Sequence, residues 1–150
     1  MKIITISYND LGISWGPAIH YLEVWNSMAL LHPDVTVAGY SPSWTGQRPI
    51  LHVRFPLFQF RVPAIAKGRQ ILYDLWVAWR VLRTATPQDV VYLRLSQFHF
   101  FSTIALYLRR NQLVLELNGL LLDDAISARR SWLFRRFVRW QEGALVHRAN

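Results

Sequence analysis

The alternation of short β-branched runs with stretches of helical periodicity limits what this chain can become. "KIITISY" (2–8), "DVVYLRL" (89–95) and "LVLELN" (113–118) are strand-like and largely apolar, and a helix-like segment follows each of the first two before the next strand. Strands that stay apolar along their length are buried on both faces, and consecutive parallel strands need a crossover that a helix usually supplies. The pattern predicts an α/β domain with a mostly parallel sheet covered by helices on both faces. With 150 residues, 52% of them hydrophobic, there is material for one packed domain.

The spacing places a first strand over 2–8 and a helix that starts at Pro17, with Ile19, Leu22, Trp25, Met28 and Leu31 in helical register. That helix ends near His32-Pro33, and a second strand covers 35–40. A short strand at 50–54 lies in a stretch rich in proline, glycine and aromatics. A helix over about 64–83 follows, in which Ile71, Leu72, Leu75, Trp76, Trp79 and Leu82 share one face while Lys67, Gln70 and Asp74 point elsewhere. The strand at 89–95, a helix over 98–110, the strand at 113–118 and a last helix from about Ser127 to the end complete the chain. No internal repeat or low-complexity linker interrupts it.

Composition narrows the chemistry. The absence of cysteine removes disulfides, zinc-thiolate sites and cysteine nucleophiles. The opening "MKIITISYND" breaks too early for a signal-peptide core, and no stretch approaches a bilayer span, which favours a cytosolic protein. The net charge of +8 is carried almost wholly by arginine, because Lys2 and Lys67 are the only lysines. Such a balance suits an anionic membrane surface, a nucleic acid or a phosphorylated substrate, or else simply a solvated cationic surface.

Three segments carry candidate sites. In "NDLGISWGPAIH", Gly12 and Gly16 fit neither the dinucleotide fingerprint nor the phosphate loop. Two readings stay open: a turn that only connects, or backbone amides and a helix N-terminus that face an anion. His20, one turn further on, is either a packed or hydrogen-bonded side chain or a catalyst. The five histidines show no metal-ligand spacing and define no hydrolase triad. "LELNG" places Glu116 inside an apolar strand that ends in Asn118-Gly119, at the sheet edge where α/β proteins build their sites. A buried glutamate needs a partner, so Glu116 either anchors a neighbouring loop or serves a hydroxylated ligand. Asp123 and Asp124 suit a helix start.

The third segment is "ARRSWLFRRFVRWQEGALVHRAN". Leu133, Phe134, Phe137 and Val138 gather on one arc of a helix, and Arg135, Arg136 and Arg139 lie on the other with Trp132 among them. The apolar arc is expected to pack on the domain. The arginine arc is either solvated or rests on anionic headgroups. Nucleic acid would accept the charge, but no recognised nucleic-acid-binding motif accompanies it.

The order of these parts resembles the N-terminal domain of the retaining family 4 glycosyltransferases, whose fold is GT-B. The likeness runs from "MKIITISY" and the loop and helix "GPAIHYLEVWNSMALLHPDVTVAGY" through "DVVYLRL" and "LVLELNG" to "EGALVHRAN", and covers nearly the whole chain. The last stretch has Asn150 where Asp is usual. Three departures stand out: Ser14-Trp15-Gly16 where paired glycines are usual, His32-Pro33-Asp34 where Gly-His precedes the second strand, and the lack, in these residues, of the family's donor-binding second domain. The resemblance implies a Rossmann-like acceptor-side lobe and a donor-binding second domain that is absent from these residues. It implies an enzyme that moves a sugar from a nucleotide-sugar donor to a carbohydrate or lipid-linked acceptor with retention, generally without a metal or other cofactor, in polysaccharide or glycolipid synthesis. Gly12 and Gly16 would approach the reacting centre and the donor diphosphate, Asn118, Gly119 and His20 would line the cleft, and the chain alone would be inactive. The alternative from another class is a non-catalytic Rossmann-like module or a membrane-peripheral subunit working with a separate donor-binding domain.

Overall fold

The computed structural model describes residues 1–8, 16–42, 51–55, 66–95, 99–117 and 121–149. Gly12, Asn118 and Gly119 lie outside the described residues. Five strands, β1 (Lys2–Ile6), β2 (Thr36–Ser41), β3 (Leu51–Arg54), β4 (Val90–Arg94) and β5 (Gln112–Glu116), form one sheet of order β3-β2-β1-β4-β5, and every neighbouring pair is parallel. Among the described residues five helices accompany them: α1 (Gly16–Leu31), α2 (Ala66–Thr84), α3 (Phe100–Arg109), α4 (Leu121–Ser127) and α5 (Trp132–Ala149). The predicted parallel sheet and each predicted strand are present.

The period-two geometry of β1 divides the core. Ile4 and Ile6 face the layer made by α2, α3 and α5, where Val77, Val81, Ala105, Leu106, Val138 and Leu145 are buried with them. Ile3 faces α1 with Val37, Tyr21 and Trp25. Helices therefore cover both faces. Within α1 the innermost line is Tyr21 and Trp25, whereas Ile19 and Leu31 are exposed. A glycine inside β2 has a packing reason: a Cβ on Gly39 would stand 2.5 Å from the fully buried Trp25 indole.

Two helical expectations change. The inner face of α2 is Tyr73, Asp74, Val77, Ala78 and Val81, while Ile71, Leu72, Leu75 and Trp79 are exposed, so α2 is rotated relative to its most apolar stripe. Asp74 is the reason. Its carboxylate accepts hydrogen bonds from the Tyr8 hydroxyl (2.5 Å), the Ser102 hydroxyl (2.5 Å) and the backbone N–H groups of Phe101 (2.7 Å) and Ser102 (3.3 Å). His99, the N-cap of α3, makes no side-chain cap bond, so a carboxylate from the neighbouring helix satisfies that terminus. Gln141 of α5 accepts the His99 N–H at 2.7 Å. The His99 ring packs edge-on against Tyr8, and burial pushes its pKa down to about 3, so it is neutral at physiological pH.

The last helix, expected from about Ser127, begins at Trp132, and a separate short helix, α4, ends at Ser127. After α4, Arg129 takes a left-handed conformation (φ 49°), its N–H bonds to Ile126 O, and that of Arg130 bonds to Ala125 O. Ser131 then caps α5 through Oγ to the Phe134 N–H at 3.3 Å. Starting there, α5 buries Val138, Gln141 and Leu145, and Leu133 is exposed rather than packed.

At the amino edge, Asp89 accepts the N–H groups of Lys2 and Thr86, each at 2.8 Å. Burial raises its pKa, but these hydrogen bonds and the Lys2 charge outweigh burial and hold it below the usual carboxylate value. Asn111 donates to Thr86 O and Asp89 O beside it.

Two outcomes follow. Gly39→Ala forces the Trp25 ring out of place and lowers unfolding free energy by about 1–3 kcal/mol in a denaturant titration, with part recovered in the Gly39→Ala/Trp25→Leu double variant. Asp74→Asn turns an amide N–H toward donors and costs about 2–3 kcal/mol. Burial raises the Asp74 pKa against the lowering effect of its hydrogen bonds. The folded state therefore holds this proton more tightly, and the native protein loses stability relative to Asp74→Asn as pH rises above about 4. Parallel urea melts across pH measure that difference.

Candidate functional site at the carboxyl edge

The sheet order reverses beside β1. The chain leaves β1 through α1 toward β2 and later returns through α2 to β4, which lies on the other side of β1. The crevice outside the carboxyl ends of strands at such a switch point is where open α/β sheets bind ligands. Gly16 opens α1 at this edge, so the positive end of the helix lies there.

Strand register sets the rest. β4 and β5 pair Arg94 with Glu116, and Leu95 N–H to Glu116 O (3.0 Å) extends the ladder by one bond. The period of two puts Tyr92 and Arg94 on one face. Glu116 gathers three groups. His20 Nε2 lies 3.1 Å from Glu116 Oε1, Arg94 Nε lies 3.5 Å from the same oxygen, and the Tyr92 hydroxyl donates to Glu116 Oε2. The Arg94 guanidinium also lies over the Tyr21 ring, 5.1 Å from its centroid. Tyr21 and His20 are consecutive on α1, and one turns inward while the other stays at the rim.

Burial differs across the cluster in a useful way. Arg94 and Glu116 keep 15% and 18% of their side chains exposed, whereas His20 keeps 48%. Paired charges at the floor thus lie under a half-open imidazole. Burial, followed by the Glu116 hydrogen bond and charge, raises the Tyr92 pKa well above its ordinary value, so Tyr92 remains a donor to Glu116. Burial also raises Tyr21, opposed by the Arg94 charge. Such a floor can accept and donate hydrogen bonds to vicinal hydroxyls, while Arg94 and the α1 terminus favour a nearby anion.

Of the sequence candidates, Gly16 and His20 meet at this edge, and Glu116 is the residue that holds His20. Asn118 and Gly119 lie outside the described residues, as does Gly12. Asp123 and Asp124 fall within α4. Arg94, Tyr92 and Tyr21 were missed, although an arginine inside the apolar run "DVVYLRL" is the same signal that drew attention to Glu116. On α5, Arg136 and Arg139 are exposed, and Arg136 lies over the Trp132 ring at 5.6 Å. Arg135 is half-buried, its Nε donating to Arg130 O at 2.8 Å, so it serves the α4–α5 corner.

An open parallel sheet in this order, with helices on both faces, is Rossmann-like and defines the class as α/β. No family model, curated protein or solved structure matches the chain.

In Glu116→Gln the phenol of Tyr92 loses a charged acceptor and a repelling charge. Its ionisation then moves to lower pH, read from the tyrosine ring-carbon NMR signals during alkaline titration. An unmoved Tyr92 signal would mean that the two side chains do not pair in solution.

Proposed function

We propose that these residues form the acceptor-side lobe of a two-lobed, retaining glycosyltransferase that takes a sugar from a nucleotide-sugar donor. The observation that carries this reading is the convergence of His20, Arg94 and Glu116 with the start of α1 at the switch point of the sheet. It is joined by the family 4 likeness in the order of the strands and loops.

In this reading the lobe supplies one wall of a cleft, and a second lobe that grips the nucleotide supplies the other. His20 presents its second ring nitrogen to a hydroxyl of the sugar being transferred or of the acceptor, held at the correct angle by Glu116. The amides at the start of α1 and the Arg94 guanidinium stabilise the negative charge that develops on the departing diphosphate. Tyr92 holds Glu116 in place by donating to its second oxygen, and so acts as a positioning residue. The acceptor is a carbohydrate or a lipid-linked sugar. Exposed Arg136 and Arg139 beside Trp132 suit peripheral contact with an anionic membrane surface. Among the described residues no helix is long and apolar enough to cross a membrane.

The test is an NMR titration of the chain with nucleoside diphosphates and with a panel of mono- and disaccharides. Amide shifts are expected around Gly16, His20, Arg94 and Glu116, and Arg94→Ala is expected to weaken the diphosphate response by about tenfold. Shifts confined to another surface, or none with any ligand, would reject the assignment. Sugar transfer by these 150 residues alone would reject the two-lobe arrangement.

A further inference from the structure

The rotation of α2 leaves an apolar stripe where a solvent-facing helix ordinarily carries polar residues. Leu72, Leu75 and Trp79 recur at three- and four-residue steps on the side opposite Tyr73, Val77 and Val81, and each is more than 40% exposed. Ile71 borders them. The neighbouring α3 repeats the arrangement with exposed Ile104, Tyr107 and Leu108. Scattered exposed leucines need no explanation, but two adjacent helices turning apolar side chains outward do.

Among the described residues of these two helices and their ends, the charges that reach the surface have one sign. Arg83, Arg109 and Arg110 are exposed, and Arg69 and Arg80 are half-buried. The only acid on either helix is Asp74, which is fully buried. Trp79 lies between two of the cations, with the Arg80 guanidinium 6.0 Å and the Arg83 guanidinium 5.4 Å from its ring. Arginine stems can lie along an apolar surface while their heads reach outward.

This combination selects the occupant. A second copy of the same face would set arginine against arginine, and a nucleic acid would bury leucine and isoleucine against a charged backbone. An anionic bilayer accepts the side chains below its headgroups and pairs the arginines at headgroup level. We propose that the outward stripe of α2 and α3 is a shallow membrane-insertion surface for anionic lipid, with Trp79 at its centre. It is distinct from the arginine arc of α5, and it does not depend on the sugar-transfer reading. Both helices and α5 cover the same side of the sheet, and Trp140 of α5 packs near Phe100 of α3, 5.7 Å between ring centroids.

The experiment is vesicle flotation of the whole chain with phosphatidylcholine alone and with phosphatidylcholine mixed with phosphatidylglycerol, alongside tryptophan fluorescence. Binding to the mixed vesicles with a blue shift is expected, and the part of that shift due to Trp79 should be missing in Trp79→Phe. Leu75→Glu and Trp79→Glu should each weaken binding by about tenfold or more while circular dichroism and the thermal melt stay as in the native protein. His20→Ala and Glu116→Gln should bind vesicles normally, which separates this surface from the carboxyl-edge site. Arg136→Glu/Arg139→Glu should retain the Trp79 component of the shift, which separates it from α5. No partition into the mixed vesicles, equal binding to neutral ones, or full binding by folded Leu75→Glu and Trp79→Glu would each overturn the proposal. A dimer in sedimentation that dissolves in Trp79→Glu would reassign the face to self-association and overturn it as well.

Discussion

The carboxylate of Asp74 holds the helical layer together. Its four donors come from the segment after β1, from the α3 backbone and from an α3 side chain, and the carboxylate itself belongs to α2. A buried carboxylate that caps a neighbouring helix satisfies groups that would otherwise cost several kcal/mol in a water-free interior. Helical geometry then dictates a second result. With 3.6 residues per turn, placing Asp74 inside puts Leu72, Leu75 and Trp79 on the outer side, whatever their hydropathy. The exposed apolar stripe is the geometric counterpart of the buried acid.

The end of β1 joins this layer to the candidate site. The Tyr73 hydroxyl donates to Ser7 O at 2.7 Å from the α2 side, while the Ser7 hydroxyl meets Tyr21 from the α1 side. Ser7 N–H bonds to Tyr40 O, which fixes the same residue in the plane of the sheet. Tyr21 in turn carries Arg94 over its ring, and Arg94 meets Glu116. A run of packed and hydrogen-bonded groups therefore links the α3 cap to the paired charges at the rim, and the site is built on regular elements rather than on a loop alone.

Much of the architecture was legible because uninterrupted β-branched runs leave few alternatives. β1, β2, β4 and β5 fall within two residues of their predicted bounds, and the short β3 within one. What sequence periodicity could not supply was the orientation of α2. The count of apolar residues favoured the stripe through Leu72 and Trp79, and the competing demand of an uncapped helix more than twenty residues away does not show in a local window. The break before α5 was visible in principle, since Ser131 is a strong N-cap residue and precedes the apolar arc. At the site, Glu116 stands out in the sequence as a charge in an apolar strand, but its pairing with His20 spans 96 positions and follows only from the strand order. Arg94 carries the same signal, but in the sequence it reads as the end of a strand.

β1 is both the first strand in the chain and the middle strand of the sheet. During synthesis it leaves the ribosome with no edge protected. One side gains a partner when β2 follows, but the other waits until Val90–Arg94 have emerged, and the Lys2 amide meets its Asp89 acceptor 87 residues later. Long-range parallel pairing of this kind is slow to form, so the nascent chain carries an open apolar strand until β4 has been made. A chain cut short before β4 would leave a sheet that cannot close on its central strand.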